Sequence, residues 1–198
     1  MYPRWVHVYR WLVSRAGVLI MRWEPLLAAP LIVMAAPAWA SVYFTAEQAQ
    51  QAVFPGQALR KIPLSLTANQ REALLERTGV HEPFNEDGVW QSADGDFFIV
   101  DRVLGKHELI TYAVGIDRNG TVKQIEIMEY QETYGSEIRN PAWRKQFLGK
   151  SAASPVKLNQ DIANITGATL SSRHVTDGVR RVLAVYDIAL KDLPGASR

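Results

Sequence analysis

The chain has 198 residues and a formal net charge of +2, which is length enough for one domain with a real core once a leader is set aside. It contains no cysteine, which excludes disulfides, a lipoprotein cysteine, thiolate metal sites, thiolate-held iron–sulfur clusters and a C-x-x-C-H haem attachment. The first forty residues hold four arginines and a single glutamate, so the basic surplus belongs to the N-terminus. What remains is nearly neutral and gives no electrostatic case for nucleic acid, which calls for a basic patch or stripe.

The N-terminus reads as a secretory signal peptide over residues 1–40, preceding a domain over 41–198. Arg22 supplies the charge, Leu26 to Ala36 the apolar run, and Ala38-Trp39-Ala40 a small-x-small cleavage site before Ser41. Pro25, Pro30 and Pro37 and the shortness of the run argue against a membrane-spanning helix, which needs about 20 apolar residues. Trp5 to Ile20 is also apolar, broken by Arg10 and Arg15. Two alternatives follow: translation starts at Met21, or it starts at Met1 and the longer leader stays as an uncleaved anchor. Both predict export, to the periplasm or an extracytoplasmic membrane surface.

Thr45, with Gln48 three residues on, predicts a capping box opening a helix from Ala46 to Val53, which Pro55-Gly56 ends. Thr67 with Gln70 opens a second helix through Ala73, Leu74 and Glu76, and Gly79 stops it. The pattern then turns extended: Val89 to Ser92, a turn over Ala93 to Asp96, Phe97 to Val103, and Glu108 to Ile116. Asn119-Gly120 is a hairpin signal. In the strand after it, alternation sets Val122, Gln124, Glu126 and Met128 on the face opposite Lys123, Ile125 and Ile127. Pro141 begins a short helix in which Trp143 and Phe147 pack as core. A closing helix starts near Ser171 or Ser172 and buries Val175, Val179, Val182, Leu183 and Tyr186. The fold class is α+β, an antiparallel sheet packed with helices.

His7, His81, His107 and His174 show no metal-ligand spacing. His174 reads as an exposed helix-surface residue, and Lys150 and Lys157 as solvated surface. The stretch from Asp161 to Ser172 includes Thr166-Gly167-Ala168-Thr169-Leu170-Ser171, a small, hydroxyl-rich turn ahead of the last helix. Thr169 offers an accessible hydroxyl, and Gly167 and Ala168 offer little obstruction. At a helix entrance, unpaired N–H groups and the positive end of the helix dipole favour a phosphate, with Arg173 nearby to add charge. The plainer alternative is that these hydroxyls are ordinary helix N-caps.

A longer series of motifs separates the two. An extended hairpin is followed by Tyr130-Gln131-Glu132-Thr133-Tyr134-Gly135, then Trp143 to Lys150, then the threonine motif. In that order the chain resembles the covalently flavinylated FMN-binding domains of the G subunit of the Rnf electron-transport complex and the C subunit of the sodium-pumping NADH:quinone oxidoreductase. The resemblance is close over Ile110 to Leu183 and loose over Ser41 to Leu109. It implies FMN as cofactor, esterified through its phosphate to Thr169 by a separate flavin transferase. Thr166, Gly167, Ala168, Leu170 and Ser171 would form the attachment turn, with Glu132 and Thr133 near the isoalloxazine. The family's middle motif reads His-x-Glu-Thr-Pro-Gly; here Tyr130 stands for the His and Tyr134 for the Pro. An acidic residue usually precedes the modified threonine by six or seven positions, whereas Asp161 precedes Thr169 by eight.

These features predict an exported FMN electron carrier without substrate turnover of its own, exchanging electrons with a membrane reductase or cytochrome. Two other classes are weighed against it: an exported accessory or binding domain of the same fold without flavin, and a flavin-dependent reductase of a small acceptor.

Overall fold

The computed structural model describes residues 41–193. The expected leader, its cleavage site and the alternative start at Met21 lie outside the described residues.

Both capping boxes form. The Thr45 hydroxyl accepts from the Gln48 amide and the Gln48 side chain accepts from the Thr45 amide, starting α1 (Ala46–Val53). Thr67 and Gln70 make the same reciprocal pair at α2 (Ala68–Thr78), which Gly79 ends in the left-handed conformation at φ +67°. Before, between and after these helices run β1 (Ser41–Val42), β2 (Leu59–Lys61), β3 (Val89–Ser92), β4 (Phe97–Leu104), β5 (Leu109–Ile116) and β6 (Val122–Tyr130). Strands β2 to β6 form an antiparallel meander, and β1 adds two residues at the β6 edge, in the order β1-β6-β5-β4-β3-β2. The sheet is therefore antiparallel and the fold α+β, as expected. The short edge strands β1 and β2 have no alternating pattern of their own, and periodicity does not reveal them.

Strand β6 differs from strict alternation. Its register against β5 shifts twice, at Thr111/Tyr112 and at Gly115/Ile116. Each shift is a bulge that changes which face later residues meet. Val122 consequently shares the main core with Ile125 and Ile127, not the face of Met128.

The two faces are covered unequally. Alpha-helix α4 (Thr169–Val185), continued by a π-turn over Tyr186–Leu190, lies with α2 over the larger core, where Val175, Val179, Val182 and Leu183 meet Ile99, Tyr112, Val114 and Ile127. On the other face α1 seats Ala49, Val53 and Phe54 against Phe98, Val100, Ala113 and Met128. A short α3 (Pro141–Arg144), flanked by 3-10 turns at Ser136–Arg139 and Lys145–Phe147, inserts Trp143 and Phe147 into the main core, their rings edge to face at 5.1 Å.

A buried ion pair fixes α4 on the sheet. Arg181, 1% exposed, donates through Nε (2.9 Å) and Nη2 (2.6 Å) to Oδ2 of Asp101, which is fully buried. Its remaining donors reach the carbonyls of Glu82 and Arg102 at 2.6 and 2.7 Å. The Tyr112 hydroxyl also donates to Asp101 Oδ2, at 2.9 Å, and the Asn85 amide to Oδ1 at 3.1 Å. Burial, reinforced by the adjacent Asp101 charge, pushes the Tyr112 phenol well above its ordinary range, so it remains a donor.

Candidate functional site

A cavity of about 550 Å³ opens where the start of α4 meets the β4–β5 turn and the segment after β6. One wall is Gly167 to Ser171, the other Glu132 to Tyr134, and Lys106 and His107 of the turn complete it. Seven of the eight residues the sequence singles out thus line one cavity. Thr166 is the exception: it is exposed and does not contribute to the lining.

Helix α4 begins at Thr169, two to three residues earlier than its apolar stripe predicts, with Ala168 in the N-cap position and no side chain capping the first turn. The hydroxyls that would have capped it are used otherwise. Ser172 Oγ donates back to the Ala168 carbonyl at 2.7 Å, and Ser171 Oγ faces Tyr130. The N-cap alternative is therefore not what forms. An uncapped helix start presents free N–H groups and the positive dipole end, a ready site for an anion. Thr169 stands in that first turn, exposed, its Oγ1 accepting from Asn164 Nδ2 at 3.1 Å. Before it, Gly167 takes φ +87°, and an added Cβ there would touch nothing within 4 Å, so the glycine serves the turn's conformation and leaves the approach open.

On the opposite wall Glu132 is partly spent on structure. Its Oε1 accepts from the amides of His107 (2.6 Å) and Glu108 (3.1 Å), closing the β4–β5 turn. Partial burial opposes ionisation, but these amides outweigh it and hold the carboxyl below the ordinary glutamate range. Thr133 stays exposed beside it. His174 is not on open surface: half-buried, it reaches the Gly105 carbonyl through Nδ1 at 3.1 Å and braces the same turn from α4. Arg173 lines a different, smaller cavity with His174 and Asp177 and does not join the Thr169 site.

The two walls are joined by Tyr130. Its hydroxyl donates to the Tyr134 carbonyl and lies 2.9 Å from Ser171 Oγ. Gly135 sits between these groups at φ +99°, where an added Cβ would come within 2.5 Å of the Tyr130 hydroxyl and 2.8 Å of Ser171 Oγ. No other residue suits both demands.

The loop ahead of Thr169 is tied down from below. Asp161 accepts from Lys150 Nζ at 2.9 Å and from the amides of Val156 and Lys157 at 3.2 and 2.8 Å. Burial opposes these contacts, yet together they keep the Asp161 carboxyl below its ordinary range. Lys150 is therefore an ion-pair partner and not plain surface, while Lys157 remains exposed. Trp143 Nε1 donates to the Ala163 carbonyl at 2.8 Å and the Ala163 amide to Gln146 Oε1 at 2.7 Å, fixing the backbone next to Asn164.

Sequence reasoning omits Lys106, His107, Asn164 and the side chain of Tyr134 from the site. Only Asn164, a polar residue five positions before Thr169, carries a local signal. Lys106 and His107 depend on how the β4–β5 turn folds over the cavity, and Tyr134 on how Tyr130 holds the segment after β6.

Residues 105–184 match the family model of the FMN-binding domain, a span containing both walls of the cavity. Over that span the chain is similar to an FMN-binding domain, and FMN is the cofactor that this likeness supports. It resembles, more particularly, the G subunit of the Na(+)-translocating ferredoxin:NAD(+) oxidoreductase complex of Acetobacterium woodii, with 33% identity over 81 residues. That alignment covers 36% of this chain and 39% of the relative, so the chain matches well under half of that protein's length. The donor set fits the cofactor: an uncapped helix start for the phosphate, Lys106 as a cation at the rim, and a volume within the roughly 300–1,000 Å³ usual for ligand sites.

Proposed function

We propose that this protein is an exported electron carrier whose FMN is joined covalently, through its phosphate, to Thr169. The observation that carries the reading is the exposed Thr169 hydroxyl in an uncapped first helical turn, at the wall of the cavity that also holds Glu132 and Thr133. A separate flavin transferase would make the bond from a flavin dinucleotide: the Thr169 oxygen forms the new P–O ester as the pyrophosphate P–O bond breaks, the Thr169 proton and a nucleoside monophosphate depart, and the adduct equals FMN less one water. Asn164, donating to Thr169 Oγ1, orients that oxygen and leaves its proton free to be removed.

Bound FMN supplies reversible uptake of electrons, singly or in pairs. The chain's own part is to place it. The first turn of α4 would hold the phosphate and Glu132 and Thr133 would face the ring or ribityl groups, while the Arg181–Asp101 pair keeps α4 fixed against the sheet. A tethered flavin suits a compartment where free FMN is scarce, in keeping with the leader's signal-peptide pattern and a periplasmic or membrane-surface location. Electron partners would be redox proteins such as a membrane reductase or cytochrome, and no small substrate is turned over.

The test is the intact mass of the protein after co-expression with a flavin transferase in an exporting host, with peptide mapping. The expected result is one FMN-sized adduct on Thr169, lost in Thr169→Ala while the domain stays folded. An adduct persisting in that variant would place the bond elsewhere, with Thr166, Ser171 and Ser172 next. An unmodified mass, under conditions that modify another family member, would favour the accessory domain without flavin. Steady turnover of small acceptors without a partner protein would favour the reductase.

A further inference from the structure

We propose that Tyr134 is the aromatic contact of the flavin ring: its free side chain at the cavity mouth stacks on the isoalloxazine of FMN held at Thr169. The inference rests on the site assignment above and adds a contact made by a residue specific to this chain.

Among the large hydrophobic residues described, Tyr134 is the most exposed, at 83%, and it lines the cavity. Its exposure does not come from a loose backbone. The Tyr130 hydroxyl holds the Tyr134 carbonyl, and the next residue, Gly135, is fitted against Tyr130 and Ser171 so closely that a Cβ would collide with both. The chain therefore fixes the backbone and leaves the ring standing over the opening. Across the cavity Leu170, 44% exposed, presents a second uncovered apolar side chain next to the attachment residue. Two uncovered apolar side chains on opposite walls of one cavity have the character of a slot for a planar ring. Aromatic rings stack in offset or edge geometry on such a surface. The remaining aromatic residues near the site are engaged elsewhere: Tyr130 is buried, and Tyr43 packs under the Arg139 guanidinium at 3.4 Å.

The experiment compares the flavin-free and flavinylated forms of the full protein by mild tyrosine nitration with tetranitromethane, read by peptide mapping. In the flavin-free form Tyr134 should be modified first, since Tyr112, Tyr130 and Tyr186 are buried. In the flavinylated form its modification should fall several-fold while that of Tyr43 stays constant. Tyr134 reacting equally in both forms overturns the proposal and leaves the flavin site standing. Failure of the parent protein to carry flavin in any form, by mass or absorbance, overturns both.

A second measurement uses Tyr134→Leu and Tyr134→Phe, which at so exposed a position should not disturb folding. A stacked phenol quenches flavin emission by lending an electron to the excited ring and taking it back. Emission should rise several-fold in Tyr134→Leu, and the ring's visible absorption band should shift in that variant but not in Tyr134→Phe. Unchanged emission and absorption in flavin-loaded Tyr134→Leu would sink the stacking contact.

Discussion

The phenol oxygen of Tyr130, at the end of β6, lies 2.9 Å from the hydroxyl of Ser171 in the first turn of α4. The same phenol holds the Tyr134 carbonyl, so a single side chain fastens the segment after the sheet to the helix that carries Thr169. Tyr130 keeps the two cavity walls in register by hydrogen bonding alone. Burial raises its ionisation above the ordinary phenol range, so the donor persists at any working pH.

Tyr130→Phe keeps the ring's volume but leaves Ser171 and the Tyr134 carbonyl without this partner. The expected loss is about 1–2 kcal/mol of stability, the usual cost of orphaning a buried polar group. Urea unfolding measures it, and hydrogen exchange should show faster exchange in the first turn of α4 with little change in the sheet. An unaltered unfolding midpoint would mean that water replaces the phenol without cost.

Acid should loosen the β4–β5 turn through Glu132. Its folded-state pKa lies below the unfolded one, so the stabilisation is fully present above the ordinary glutamate value of 4.5 and is lost as pH falls from there through the lower folded value. Glu132→Gln lacks the charged acceptor at every pH. The variant should be less stable than the parent by about 1 kcal/mol at neutral pH, a modest figure because the site is partly open to solvent. The gap should narrow in acid, and parallel stability curves for the two proteins would contradict the assignment.

Removing one partner from the buried pair on α4 is expected to be severe. Arg181→Met strands the Asp101 charge with only the Tyr112 hydroxyl and the Asn85 amide, and should cost about 3–5 kcal/mol. Tyr112→Phe removes a single bond to the same carboxylate and should cost about 1–2 kcal/mol. Chemical denaturation of both variants checks the ranking. A mild Arg181→Met would show that water enters to solvate Asp101.

Under the proposed covalent linkage, Asn164→Ala tests the orientation of the Thr169 oxygen. The bond it removes is exposed, so stability should barely move, within about 0.5 kcal/mol. The rate of covalent flavin addition by a transferase should fall several-fold. Thr169→Ser, which keeps the hydroxyl and loses a methyl, should still accept flavin. Equal rates for Asn164→Ala and parent would leave Asn164 a bystander.

Local chemistry makes much of this fold legible in the sequence. The capping boxes of Thr45 and Thr67 and the stop at Gly79 involve only neighbouring residues, so their signals survive without tertiary context. The meander from Val89 onward shows as alternation broken by Asn119-Gly120. What alternation conceals is a bulge: extra residues in β6 move Val122 to the face of Ile125, and nothing in its side chain announces this. The start of α4 is easily misplaced because Ser171 and Ser172 have the chemistry of caps while their oxygens bond to Tyr130 and to the Ala168 carbonyl. At the site, the threonine motif and Glu132-Thr133 stand out in the sequence itself. The binding of Glu132 to the turn amides, the bracing by His174 and the position of Lys106 arise only when the β4–β5 turn closes over the cavity.

The bare N-terminus of α4 has a consequence for the order in which the protein is completed. Most helices carry their cap in the gene, as α1 and α2 do here. Under the covalent reading, α4 receives its counter-charge after synthesis, when a phosphodiester on Thr169 places a permanent anion over its unpaired amides. Maturation then doubles as a folding step. The unmodified domain keeps the first amides of its last helix bare, and on that reading the loaded one would hold an anion against them.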